Sequence, residues 1–200
     1  MSSISVTGLR PSKLPPQYGY DYKNEAWTKI KNSFKEILLE KNCTDAYTGM
    51  ALGVDTVFAH AVLELKEQGH NIKLHCILPC AGQEKQWPDK SKDMYIRILT
   101  WADEIIGMTE EGYLELLMDY EIDFFKKTVK SHCLISKNPL RNEPPFYSQQ
   151  YKPYLMQKRN EYMVDHADEV IAVWNGNSGG TKNCVEYAIK QQKLIHRINP

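Results

Sequence analysis

The sequence predicts an α/β protein, a Rossmann-like and mostly parallel sheet with helices on both faces. Two observations carry that expectation. Short apolar strand patterns alternate with helical patterns along the chain, and three glycine-bearing loops follow strand candidates. Strands that alternate with helices need crossover connections, which place helices over both faces of a parallel sheet.

Ser3–Thr7 reads as a short strand ending in Gly8-Leu9-Arg10-Pro11. Glu25–Lys41 places Trp27, Ile30, Phe34, Ile37 and Leu38 at helical spacing, which gives one apolar face. Asp45–Thr48 is a brief strand leading into Gly49-Met50-Ala51-Leu52-Gly53. Val54–Gln68 is amphipathic through Val54, Val57, Phe58, Ala61, Val62 and Leu65, and Gly69 stands where a glycine ends a helix. Lys73–Leu78 is a strand closed by Pro79. The second half continues with a helix at Asp93–Thr100, a strand at Glu104–Met108 and a helix at Tyr154–His166. A strand at Glu169–Trp174, a helix at Thr181–Gln191 and a strand at Leu194–Ile198 complete it.

Two hundred residues suit one domain, 1–200, with an elaborated insertion at about 109–153. The insertion, Thr109 to Pro153, breaks the alternation. It carries six acidic residues between Glu110 and Asp123, then five basic ones between Lys126 and Arg141. Tyr113, Leu116, Leu117 and Tyr120 give its first part helical potential. Such a segment is either a solvated insertion whose charges partly pair, or a lid or subunit contact.

Charge narrows the function. Twenty-five basic and 25 acidic residues sum to zero, which excludes a strongly basic nucleic-acid surface but leaves room for a local cationic pocket. The sequence begins without a signal-peptide pattern and holds no apolar run near the ~20 residues that span a bilayer, so a cytoplasmic, membrane-free protein is expected. Five cysteines at irregular spacing, with no Cys-x-x-Cys pair, read as reduced thiols, and no metal site is expected.

In an open α/β sheet, ligands collect beyond the carboxyl ends of the strands. The three loops fall there: Thr7-Gly8-Leu9-Arg10-Pro11, Thr48 to Asp55, and Trp174 to Thr181. Glycines let backbone N–H groups approach an anion, and a following helix N-terminus adds favourable dipole charge. The P-loop pattern is absent, and no Gly-x-Gly-x-x-Gly follows the first strand.

Five motifs recur in a familiar order: Val6 to Pro11, Gly49 to Asp55, Gln83-Glu84-Lys85-Gln86-Trp87, Arg159 to Asp165 and Gly179-Gly180-Thr181. Together they resemble the YpsA/YoqJ-like branch of the SLOG superfamily, which also includes the LOG nucleotide hydrolases and the DNA-processing protein DprA. The resemblance covers nearly all of the chain outside the insertion. It implies a Rossmann-like domain that binds a nucleotide or nucleotide-derived ligand, such as ADP-ribose, as a sensor or sequestering protein. No cofactor is required, nucleic-acid binding in the manner of DprA is the third reading and has little support from the zero net charge, and a homodimer is compatible.

The ligand-binding residues implied are Thr7, Gly8, Arg10, Pro11, Gly49, Met50, Ala51, Gly53, Val54, Asp55, Gln83, Lys85, Trp87, Arg159, Asn160, Asn175, Gly179, Gly180 and Thr181. Arg10 suits a phosphate because a guanidinium binds it in bidentate fashion. Asp55 either caps its helix or accepts from a ribose hydroxyl. Trp87 either packs on the sheet edge or stacks on a base, and Lys85 either lies on the surface or nears a phosphate. His75, inside a strand, reads as a core or edge residue.

The LOG hydrolases carry an Arg on the helix before their fifth strand and a Gly-Gly-x-Gly-Thr-x-x-Glu loop. Arg159 matches the first, followed by Asn160 in place of Lys. Three residues after Thr181 stands Cys184 instead of Glu, and Glu186 falls on another face of the helix, since each residue advances about 100°. Binding is therefore expected over N-glycosidic hydrolysis, for which Arg159 and Glu186 are the candidate catalytic residues.

Overall fold

The computed structural model describes residues 2–80, 82–108, 128–131 and 152–200. Among them, seven strands form one sheet: β1 Ser2–Gly8, β2 Cys43–Thr48, β3 Lys73–Leu78, β4 Glu104–Gly107, β5 Thr128–Ser131, β6 Glu169–Val173 and β7 Leu194–Ile198. Their order is β5-β4-β3-β2-β1-β6-β7, and every pairing is parallel. Five α-helices connect or flank them: α1 Glu25–Glu40, α2 Val54–Glu67, α3 Asp89–Trp101, α4 Lys152–His166 and α5 Gly180–Lys190. The expected Rossmann-like α/β class is the fold observed.

Side-chain alternation divides the core. Ile4, Val6, Leu74, Cys76, Leu78, Ile105, Ile171 and Val173 join one cluster with Trp27 and Phe34 of α1, Phe58 of α2 and Ile98 of α3. The other face is served by two smaller clusters, where Ile77 and Ile106 meet Leu155 and Met163 of α4, and Val170 meets Val164 of α4 and Cys184 of α5. Period-two alternation along each strand thus sorts residues between two helical layers.

The centre of the second face is polar. Ser5 and Thr7 are buried there. His75 lies 2.8 Å from Glu104 and 2.9 Å from Asp45 through its two ring nitrogens, and its ring stacks on Tyr47. His75 is 8% exposed, so it is a core residue that links β2, β3 and β4.

Two boundaries differ from expectation. Helix α3 starts at Asp89, four residues before the expected Asp93, because Pro88 occupies its N-cap, a position where the missing N–H costs nothing. Strand β5 lies inside the segment read as an insertion and pairs with β4 in parallel. Its sequence, Thr128-Val129-Lys130-Ser131, is too short and too polar to show alternation. Tyr113, Leu116, Leu117 and Tyr120 lie outside the described residues.

The sheet steps from β1 to β4 in one direction, and β6 returns to pair with β1 on the other side. The β1/β6 boundary is therefore the topological switch, beyond whose carboxyl ends a crevice forms.

Candidate functional site

Because every described strand pairing is parallel, the loops after β1, β2 and β6 emerge at one edge. The β1 loop turns at once into a 3-10 helix, Pro11–Lys13, so Arg10 and Lys13 are both exposed on a one-turn rise beside the switch. Gly8 is where β1 meets α2. A Cβ there would stand 2.3 Å from Cγ1 of Val54, so only glycine allows this approach.

The loop between β2 and α2 is closed on itself. Thr48 Oγ1 donates to the Asp55 carbonyl at 3.1 Å and accepts from Met50 N at 3.3 Å. Thr56 Oγ1 donates to the Ala51 carbonyl at 3.1 Å. The Asp55 carboxylate accepts from Ala51 N, also at 3.1 Å. Gly53, with φ 103°, is the N-cap of α2, so Asp55 in the first turn ties down the loop and the helix has no side-chain cap. The capping role expected for Asp55 is corrected accordingly. Met50 is left-handed (φ 53°) and fully buried, so it anchors the loop with its side chain.

Arg159 comes to this loop from α4. Leu155, Arg159, Asn160, Met163 and Val164 share the buried face at helical spacing, which carries the guanidinium against the sheet. Arg159 is 8% exposed. Its Nη1 donates to the Gly49 carbonyl at 2.9 Å, and Nε and Nη2 donate to Asn160 Oδ1 at 3.2 and 2.9 Å. Among the described residues, these hydrogen bonds all go to neutral oxygens. A Cβ on Gly49 would fall 2.6 Å from Nε, so this glycine makes room for the arginine. Burial pulls the Arg159 pKa down, while Asp55 supports the charge and Arg10 opposes it. Burial pushes the Asp55 carboxyl up, against the pull of Arg159, the Ala51 amide and Arg10. The three groups thus lie within one electrostatic neighbourhood.

The third loop reaches α5 through Gly179 (φ 141°), again without a side-chain cap. Asn175, Gly179 and Gly180 are exposed, and Thr181 is buried. Lys13 Nζ stands 3.8 Å from the point a Gly179 Cβ would occupy, which brings the β1 rise against the start of α5. Thr181, Cys184, Val185 and Ala188 form the buried face of α5. Cys184 accordingly points inward, hydrogen-bonded with Thr7 and close to Arg159 and Asp55, and burial raises its thiol to about 11. Glu186 is exposed and pairs with Lys182 at 3.4 Å on the solvent side. The structure therefore places this candidate acid on the solvent side of α5, away from the buried face that carries Thr181 and Cys184.

The remaining candidates lie after β3. Gln83 Nε2 donates to the Met50 carbonyl and to Tyr95 Oη, each at 3.3 Å, which joins this loop to the site. Trp87 packs edge-on against Tyr95 with centroids 5.4 Å apart and borders the main core, which agrees with the packing reading over base stacking. Lys85 is exposed, its stem folded over Gly82. Pro11 and Val54 are buried in these loops, and Ala51 is half-buried. Sequence reasoning missed Lys13 and assigned no site role to Cys184. Lys13 had no motif to mark it, whereas Cys184 was marked by its place in the loop pattern.

Fold and edge together define a Rossmann-like α/β protein with glycine-bearing loops and exposed cations at its topological switch. The comparisons place it more closely. The YpsA family model, described as the YspA SLOG family, matches residues 4–134. The chain is 32% identical over 180 residues to an uncharacterized SPbeta prophage-derived protein, YoqJ of Bacillus subtilis, covering 88% of this chain and 89% of that one. It is 25% identical over 150 residues to the UPF0398 protein YpsA of the same organism, covering 74% and 82%. The chain belongs to the YpsA SLOG family. A solved structure of DNA processing protein A from Helicobacter pylori, described through its single-stranded DNA binding mode, shares the fold. That match has a TM-score of 0.54 at 15% identity, covering 100% of this chain and 66% of that one. Among the described residues, no helix is long and apolar enough to cross a membrane.

Proposed function

We propose that the crevice at the β1/β6 switch binds the phosphate-bearing part of a nucleotide or nucleotide-derived ligand, of which ADP-ribose is the type, as a sensor or sequestering protein. One observation carries this reading: the Arg159 guanidinium is buried on neutral acceptors beside two uncapped helix starts. The nearby Asp55 carboxylate supports the Arg159 charge without a hydrogen bond to it, and a bound anion would add a directly hydrogen-bonded partner. Arg10 and Lys13 add exposed cations along the approach.

The same geometry favours binding over hydrolysis. Glycosidic cleavage needs a carboxylate to stabilise an oxocarbenium-like centre or activate water. The matching position holds Cys184, whose thiol stays protonated at neutral pH, and Glu186 faces solvent. Isothermal titration calorimetry with AMP, NAD and ADP-ribose tests the reading, with chromatography of the same mixtures for free base. Binding without release of base is the expected result. A folded protein that binds none of the three overturns it, and base release abolished by Glu186→Ala would restore the hydrolase.

Single-stranded DNA is the second reading, supported by the shared fold with a protein described as binding it. That likeness removes support from the expectation that nucleic acid is no partner. An oligothymidylate in the same titration separates the two.

A further inference from the structure

The loop between β6 and α5 is bordered by a further cation that none of the motifs marked, Arg197 of β7. Arg197 sits near the end of β7, in register with Ala172 of β6. Its guanidinium carbon lies 5.1 Å from the centroid of the Trp174 ring, and its Nε donates to the Trp174 carbonyl at 3.3 Å. Trp174 is itself fixed: its indole Nε1 donates to the Asn177 carbonyl at 2.8 Å, and its backbone N–H donates to the Ile198 carbonyl at 3.1 Å. Asn177 N donates to Asn175 Oδ1 at 3.2 Å, which closes the loop around the indole. The guanidinium is thus oriented by a ring face and a carbonyl. Its two terminal nitrogens make no hydrogen bond and meet no carboxylate among the described residues.

Position gives this group its meaning. Nη2 of Arg197 stands 3.7 Å from the point a Gly176 Cβ would occupy, and Lys13 Nζ stands 3.8 Å from the equivalent point at Gly179. Two cations, from opposite ends of the chain, therefore border one glycine-bearing loop three residues apart. The backbone between those glycines spans at most about 10 Å. Neighbouring anionic groups of one ligand can meet both. Arg197 is also the better recogniser of the two, since its planar fork is held in place before binding and loses little freedom on engaging a phosphate.

We propose that Arg197 is a second anion-binding group of this site and that the ligand is a nucleotide carrying a diphosphate. One phosphate is taken by Arg197 and the other by the Arg10, Lys13 and Arg159 side. The proposal rests on the phosphate-binding reading above. It goes further in fixing the number of anionic groups and the residue that counts them.

The test compares AMP, with one phosphate, and ADP-ribose, with two, against the wild-type chain, Arg197→Gln and Arg197→Lys. The wild type is expected to bind ADP-ribose at least tenfold more tightly than AMP. Arg197→Gln should abolish that preference and leave AMP affinity within about twofold. Arg197→Lys should restore part of it, because charge returns without the flat fork. A thermal melt of each variant within a few degrees of the wild type shows that the loop still folds. Wild-type binding of AMP and ADP-ribose with equal affinity overturns this inference while the site reading stands. So does a preference that survives Arg197→Gln. Binding of neither overturns both. An oligothymidylate that outcompetes ADP-ribose assigns the two cations to successive phosphates of a strand and overturns the free diphosphate.

Discussion

At the scale of single residues, the site is organised by what glycine leaves out. Gly49 is buried, and the space of its missing side chain is filled by the Arg159 guanidinium, with Nε, Cζ and Cδ at 2.6, 2.7 and 2.9 Å from where a Cβ would stand. These are atoms near the charged end of a long side chain, yet they are held by Gly49 and Asn160, so they do not move freely. Gly49→Ala is expected to expel the guanidinium from the loop and cost about 1–3 kcal/mol of stability, the usual range for overpacking a filled core. Ligand affinity should fall by at least tenfold in the same variant. Chemical denaturation and calorimetry on one preparation check both. A variant with unchanged affinity would mean that Arg159 does not take part in binding. The sequence marked Gly49 and Arg159 as separate motif members. It held no sign that the glycine exists for the arginine, because that relation joins residues 110 positions apart.

Elements were more legible than contacts, for a physical reason. The helices α1 and α2 and the strands β3, β6 and β7 are defined by local apolar period, so their existence was readable from the chain. Strand β5 was not, because four polar-leaning residues in a charge-biased stretch acquire strand character only by pairing with β4. The short helix of Pro11–Lys13 was equally silent, although it sets Arg10 and Lys13 on the crevice rim. Packing between elements has its own test at Gly8, where β1 and the start of α2 approach so closely that a Cβ would meet Cγ1, Cβ and Cγ2 of Val54 at 2.3, 2.5 and 2.6 Å. Gly8→Ala should push α2 from the sheet and destabilise the protein by about 1–3 kcal/mol. Val54→Ala alone removes two buried methyl groups and should cost about 1–3 kcal/mol. Combined, the two should cost less than their sum by at least about 0.5 kcal/mol, since the smaller helix residue makes room for the new methyl. Denaturant melts of the four proteins measure that coupling, and strict additivity would show that the contact is not what confines position 8 to glycine.

The whole molecule is neutral, with 25 basic and 25 acidic residues, and the fold gives that neutrality a shape. Arg10, Lys13, Arg159 and Arg197 come from the loop after β1, the helix α4 and the last strand, yet all are carried to the carboxyl edge by parallel topology. Net charge read from the chain argues against a broad basic surface, and it says nothing of where a local one would fall. The difference has a measurable consequence in salt. A single strand held through six to ten phosphates has a slope of about −4 to −7 and loses roughly 300-fold to 10⁴-fold in affinity between 50 and 200 mM salt. A free ligand with two phosphates carries no condensed counterion sheath, so its slope is at most about −0.7 for each phosphate neutralised, a loss of less than about tenfold over the same range. Titrating ADP-ribose at four salt concentrations should therefore give a shallow line, with a slope no steeper than about −1.5. Arg197→Gln should flatten it by about half, because one of the two neutralised phosphates is lost. A steep line for an oligonucleotide, with tighter binding than ADP-ribose at low salt, would instead mean that the crevice is one stretch of a longer track. The neutral remainder of the surface would then have to hold cations gathered as they are here. A shallow line leaves the charge where the fold has put it, at one edge and within reach of one small ligand.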